Sequence, residues 1–144
     1  MKKLIGVFIL FIPFNTNAQF KYSLKFEPIG FNKENGIFKT FELYDIQLSV
    51  KSDDKDFFFE VQPGIILNSF IPHLDFYIGG QYKIFFLKGG VLYYFDISSD
   101  GNSGPSVQTG FLPGIGIGAF ITKEIFLEFL FNTAFISIGA GIEL

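Results

Sequence analysis

The 144-residue chain has no cysteine, no tryptophan, no arginine, one histidine and one methionine. Without cysteine there is no disulfide framework, no zinc knuckle, no thiol nucleophile and no lipid-modified N-terminal Cys. A single histidine leaves little for metal chemistry. A net charge of −3 carried without arginine is a poor match to nucleic acid. After residue 20 no apolar run is long enough for a helix to cross a bilayer. The composition therefore implies no cofactor, no metal site and no catalytic residue set, and the length allows one domain at most.

What the chain does have is phenylalanine and glycine, 22 and 16 residues, with 49% hydrophobic and 17% charged residues. The N-terminus reads as a targeting segment. Met1-Lys2-Lys3 is a cationic start, Leu4 to Phe14 is an apolar stretch too short for a membrane anchor, and Thr16-Asn17-Ala18 offers small residues before a cut at Gln19. Residues 1–18 are thus expected to be an export signal and 19–144 the mature domain. Losing Lys2 and Lys3 moves the net charge from −3 to −5.

The mature chain alternates apolar and polar residues from end to end, the period of a β-strand. Phe20, Tyr22, Leu24 and Phe26 alternate with Lys21, Ser23, Lys25 and Glu27, and Tyr44, Ile46, Leu48 and Val50 with Asp45, Gln47, Ser49 and Lys51. Similar runs occur over 57–68, 74–82, 85–96, 107–121, 125–132 and 134–144, so eight strands and no helix are expected. Turn-forming clusters separate them at Asn32 to Gly36, Ser52 to Asp56, Asn68 to His73, Ser98 to Ser106 and Thr122 to Glu124. The turns near Lys83 and Asn132 are weakly marked.

Alternation alone does not say which face meets water. The second face of residues 107–122 is largely glycine and carries no charge, a poor solvent-facing surface for a soluble sheet. Inside a narrow barrel the same glycines make room for larger side chains. Lys21, Lys25, Glu27, Asp45, Glu60, Asp75, Lys88, Glu128 and Glu143 all fall on that second face. Facing hydrocarbon, each lysine near the midplane would cost roughly 2 to 4 kcal/mol, so these residues are expected to point inward and pair. Lys39 and Glu42 are placed above the apolar band. With both termini on the inner side, Ser98 to Ser106 would be the longest external loop and Thr122-Lys123-Glu124 a short inner turn.

This layout, with its final Ser137-Ile138-Gly139-Ala140-Gly141-Ile142-Glu143-Leu144, resembles the small outer-membrane β-barrels of Gram-negative bacteria, including outer-membrane-protein-A-like barrels. Ser137, Gly139 and Ile142 fit the family's terminal-strand pattern, whereas Leu144 stands where that family carries an aromatic residue. The resemblance implies an all-β, eight-stranded antiparallel up-and-down transmembrane barrel in the outer membrane. It also implies outer-membrane lipid and the barrel-assembly machinery as partners, with a monomer favoured and no nucleic acid. Its role would be structural or surface-interacting through external loops, with a filled lumen and no enzymatic activity.

Other motifs have plainer readings. Gly114 to Ala119 formally fits a dinucleotide fingerprint but lies within a strand, with no following helix. His73 falls in a predicted outer loop near Ser69 and Asp75, where a catalytic role would need a nucleophile and an orienting group, so it reads as a solvated loop residue. Asp100-Gly101-Asn102 lacks the ligand series of a calcium loop. Phe57-Phe58-Phe59 and Tyr93-Tyr94 read as an aromatic belt. Two alternatives stay open: a soluble lipocalin-like barrel binding an apolar ligand on its Phe-rich face, and a lipid-modifying enzyme using His73.

Overall fold

The computed structural model describes residues 20–34, 37–52, 56–100 and 104–144. The expected export segment lies outside these residues. The eight strands are β1 (Phe20–Glu34), β2 (Ile37–Ser52), β3 (Phe57–Ile66), β4 (Ile71–Tyr82), β5 (Phe85–Asp100), β6 (Gly104–Phe120), β7 (Ile125–Asn132) and β8 (Ile136–Glu143). Each pairs antiparallel with the next, and β8 pairs with β1 to close the barrel. Closure leaves the ring without a sheet edge.

Strand β2 begins at Ile37, directly after the expected turn at Asn32 to Gly36, and continues past an irregularity opposite Pro28; two loop expectations further along the chain need correction. Proline has no N–H to give a ladder, and Tyr44 absorbs the extra residue with a left-handed φ of 46°. The predicted loop from Asn68 to His73 shortens to 67–70: Pro72 sits at the start of β4, where proline costs least, and His73 is inside the strand. The predicted long loop from Ser98 to Ser106 is a ladder, with Ile97 opposite Val107, Ser98 opposite Ser106 and Asp100 opposite Gly104. Only 101–103 remain between the strands, and they lie outside the described residues, as do parts of the turns at 35–36 and 53–55.

Loop length therefore does not distinguish the two ends of the barrel; strand length does. At the end where β1 starts and β8 stops, here the terminal end, the strands finish nearly level. At the opposite, hairpin end, β2 pairs with β3 only from Asp45, and β6 with β7 only from Gly114. The β1–β2 and β5–β6 hairpins project beyond the ring there. Turns that the sequence marks weakly are fixed by side chains: Asn132 Oδ1 accepts from the amides of Ala134 at 2.9 Å and Phe135 at 2.8 Å.

The apolar strand face points outward. Leu24, Phe26, Leu48, Phe59, Phe76, Ile78, Leu87, Ile115, Ile117 and Phe129 are all exposed on the ring's exterior. Inside, several glycines among the described residues face an aromatic or imidazole ring across the strand pair. Gly30 is opposite Phe41, Gly64 opposite His73, Gly79 opposite Phe58, Gly110 opposite Tyr94, Gly118 opposite Phe86 and Gly141 opposite Phe126. In each pair the ring occupies the space a Cβ on the glycine would need. Gly118→Ala should therefore push the Phe86 ring off its neighbours and cost about 1–3 kcal/mol, as overpacking does. Denaturant titration of the refolded barrel would check this; an unchanged midpoint would mean the ring is free to move.

Candidate functional site

Among the described residues, thirteen polar or charged side chains are buried against seven apolar ones, so the interior is more polar than the exterior. Strand alternation explains why. Successive inward positions on β1, β2, β3, β4, β5 and β7 are Lys25 and Glu27, Asp45 and Gln47, Glu60 and Gln62, His73 and Asp75, Lys88, and Glu128. Closure brings residues as far apart as Lys25 and Glu128 into one layer.

That layer is one continuous network. Lys25 Nζ donates to Glu27 at 2.7 Å, to Glu128 at 2.9 Å and to Gln62 at 3.4 Å. Lys88 Nζ donates to Glu60 at 2.8 Å and to the other oxygen of Glu128 at 2.9 Å, and it lies 4.3 Å from the centre of the Tyr77 ring. Ser49 Oγ donates to Glu60. Gln47 Nε2 donates to Asp45 at 2.6 Å and to Glu27 at 3.4 Å. Asp45 in turn meets His73 Nε2 at 2.9 Å, while His73 Nδ1 meets Asp75 at 2.7 Å. Tyr77 OH completes the chain on Asp75 at 3.3 Å.

Five carboxylates thus face two lysines and one histidine. His73 presents both ring nitrogens to carboxylates, Nε2 to Asp45 and Nδ1 to Asp75. The remaining negative charge is met by neutral donors, the Ser49 and Tyr77 hydroxyls and the Gln47 amide. Isolated buried charges cost several kcal/mol each, and this density of partners is what makes the layer tenable.

Below the charged layer, toward the terminal end, Phe58, Phe86 and Phe126 are buried together with Phe120 packed against them. Phe86 meets Phe126 edge-on at 5.8 Å between ring centres, and Lys51 Nζ lies 5.2 Å from the Phe58 ring and 2.9 Å from Glu143. The sequence pattern assigned Phe58 to an outer belt; it points inward. It also passed over Phe86 and Phe126, whose inward parity with Lys88 and Glu128 was the available signal.

His73, expected in a solvated outer loop, is 4% exposed and held by two carboxylates. Among the described residues it has no hydroxyl partner that could serve as a nucleophile. The glycines of the 114–119 motif line the interior of β6 and do not open a helix. Tyr93 does sit on the outside, 4.6 Å from Phe95 and from Phe111 between ring centres, whereas the Tyr94 ring packs over Gly110. A charged interior also removes the lipocalin-like alternative, which needs an apolar cup.

A closed ring of eight antiparallel strands with an apolar outer face and a charged interior is the fold class of the small transmembrane β-barrels. No protein-family model and no curated protein matches the chain. Among solved structures it is similar to Ail, the attachment invasion locus protein of Yersinia pestis, solved in complex with the heparin analogue sucrose octasulfate. That match has 11% identity and a TM-score of 0.51, and it covers 88% of this chain and 99% of Ail. The de novo designed protein TMB2.3 is similar at 16% identity and a TM-score of 0.52, covering 90% of this chain and 96% of the design. At these identities the likeness is one of fold.

Proposed function

We propose that the chain is an integral outer-membrane barrel, closed to solutes and without enzymatic activity, that presents its two projecting hairpins for contact at the cell surface. The observation that carries this reading is the inverted distribution of polarity. Phe59, Leu87 and Ile115 are more than half exposed while Lys25, Asp75 and Lys88 are buried, which suits hydrocarbon outside and no bulk water inside. The space between the Phe cluster and the charged layer amounts to about 10 Å³, the size of one water, which supports a closed lumen.

The test is fractionation. The protein should pellet with membranes, require detergent for release and run with heat-modifiable mobility on gels. Recovery in the aqueous fraction would overturn the membrane reading. Cell-surface protease cleavage confined to the 95–113 hairpin in intact cells would support the orientation, and cleavage at the Lys123 turn instead would reverse it.

By sequence, the two hairpins that project hold Lys33 and Lys39 against Glu34, Glu42, Asp96 and Asp100, a net negative balance. Aromatic side chains add to this on the β5–β6 hairpin, where Tyr93, Phe95 and Phe111 cluster. This surface favours an apolar or polar partner over a sulfated polyanion. Immobilised heparin should therefore retain none of the barrel at about 0.15 M ionic strength, where exposed charges farther apart than roughly 8 Å are screened. Retention would mean that the tips gather more positive potential than their composition gives them.

A further inference from the structure

We propose that the terminal end of the barrel holds a binding site for the phosphate headgroup of an anionic phospholipid. The proposal rests on the membrane reading above. A cavity of about 290 Å³ opens there between the β4–β5 turn, the β6–β7 turn and the start of β1. Lys21, Lys83 and Lys123 line it on the polar side, and Ile84, Ile121 and Phe120 on the apolar side.

The charge balance favours an anion. Glu143, the single acid on the wall, is already engaged by Lys51 at 2.9 Å and approached by Lys21 at 3.9 Å. Lys83 and Lys123 have no carboxylate partner among the described residues; Lys83 only lies near the Tyr82 ring, 5.4 Å from its centre. Two ammonium groups on adjacent turns thus face a cavity whose one acid is committed elsewhere. Ammonium groups are effective point-charge partners for phosphate oxygens.

A second observation concerns the backbone. Lys83 adopts a φ of 56°, a left-handed conformation that glycine takes freely and a long side chain does not. The tight β4–β5 turn would be more comfortable with glycine there. A lysine at that position brings a cation to the cavity at a conformational cost.

The apolar half of the wall selects a lipid over a soluble anion. Ile84 and Ile121 are 51% and 63% exposed and sit beside Lys83 and Thr122 on the same turns, continuing the apolar exterior of the ring up to the cations. A phosphodiester can meet the lysines while its acyl chains lie along these side chains and the outer wall below. Basic pockets at a membrane interface recognise anionic headgroups by this combination.

The test uses the barrel refolded in dodecyl maltoside micelles and titrated with dioleoyl-phosphatidylglycerol or dioleoyl-phosphatidylcholine, bound lipid being read by native mass spectrometry. The wild type should bind the glycerol lipid more tightly. Lys83→Gly combined with Lys123→Ser should weaken that binding about 30-fold, given roughly a fivefold effect per lysine near a charged headgroup, and leave the choline lipid unaffected. Because glycine relieves the left-handed strain, the double variant should unfold at no lower temperature than wild type, which separates lost binding from lost folding. Equal affinity for the two lipids, or an unchanged preference in the double variant, overturns the proposal. Displacement of the glycerol lipid by millimolar inorganic phosphate would assign the site to a free anion and also overturn it. Failure of the membrane reading itself would appear elsewhere, as recovery from cells without detergent.

Discussion

Lys25→Met should lower the unfolding free energy of the barrel by about 3–5 kcal/mol, the range for removing one partner of a buried ion pair. Lys25 is fully buried, and its ammonium is the only cation in contact with Glu27 among the described residues. The methionine fills much of the same space, so the loss is electrostatic: Glu27 keeps only the long 3.4 Å bond from Gln47, and Glu128 keeps only Lys88. Urea titration of the refolded protein, followed by far-ultraviolet circular dichroism because the chain has no tryptophan, gives the number. The companion variant Lys25→Met/Glu27→Gln removes the orphaned charge together with its partner. It should be more stable than Lys25→Met alone by about 1 kcal/mol or more, a coupling typical of residues in one network. A loss below about 1 kcal/mol for Lys25→Met would mean that water reaches the layer and screens it.

The same network shows what a linear sequence can and cannot reveal. Period-two alternation identified eight strands because each strand has one face in each environment, and the outward set from Leu24 to Phe129 followed directly. The inward orientation of Lys25, Glu27, Asp45, Glu60, Asp75, Lys88 and Glu128 followed from the cost of placing charge on the apolar side. Which of them would meet was not legible, since Lys25 and Glu128 become neighbours only when β8 closes onto β1. His73 was misplaced for a local reason: Pro72 and the cluster from Asn68 look like a loop, yet proline fits the first residues of a strand. The β5–β6 tip was misjudged for a related reason. Its Ser, Gly and Pro residues weaken a strand without preventing a ladder whose register is already set by the thirteen pairs from Phe85 to Ile97. Inward Phe58, Phe86 and Phe126 are hidden because an aromatic run satisfies both faces of an alternation, and it is their parity with Glu60, Lys88 and Glu128 that tells them apart.

Ile117→Lys separates a membrane barrel from a soluble one by the size of its effect. Ile117 lies midway along the part of β6 that pairs with both neighbours, opposite Leu87 on β5 and Phe129 on β7, and it is 48% exposed on the outer face. In water, a lysine at so exposed a position would change stability by no more than about 0.5 kcal/mol. In a bilayer the same ammonium sits near the midplane and should cost about 2–4 kcal/mol. Thr109→Lys serves as the reference, since Thr109 is exposed on the projecting β5–β6 hairpin, beyond the last β6–β7 pair at Gly114. Both variants add one lysine to the outer surface of one strand, so propensity and net charge nearly cancel between them. Unfolding titrations in phosphatidylcholine vesicles should show a difference of at least about 2 kcal/mol between Ile117→Lys and Thr109→Lys. Equal effects would place both positions in the same solvent, and the apolar coat around the charged interior would then need another cover, such as a second protein surface.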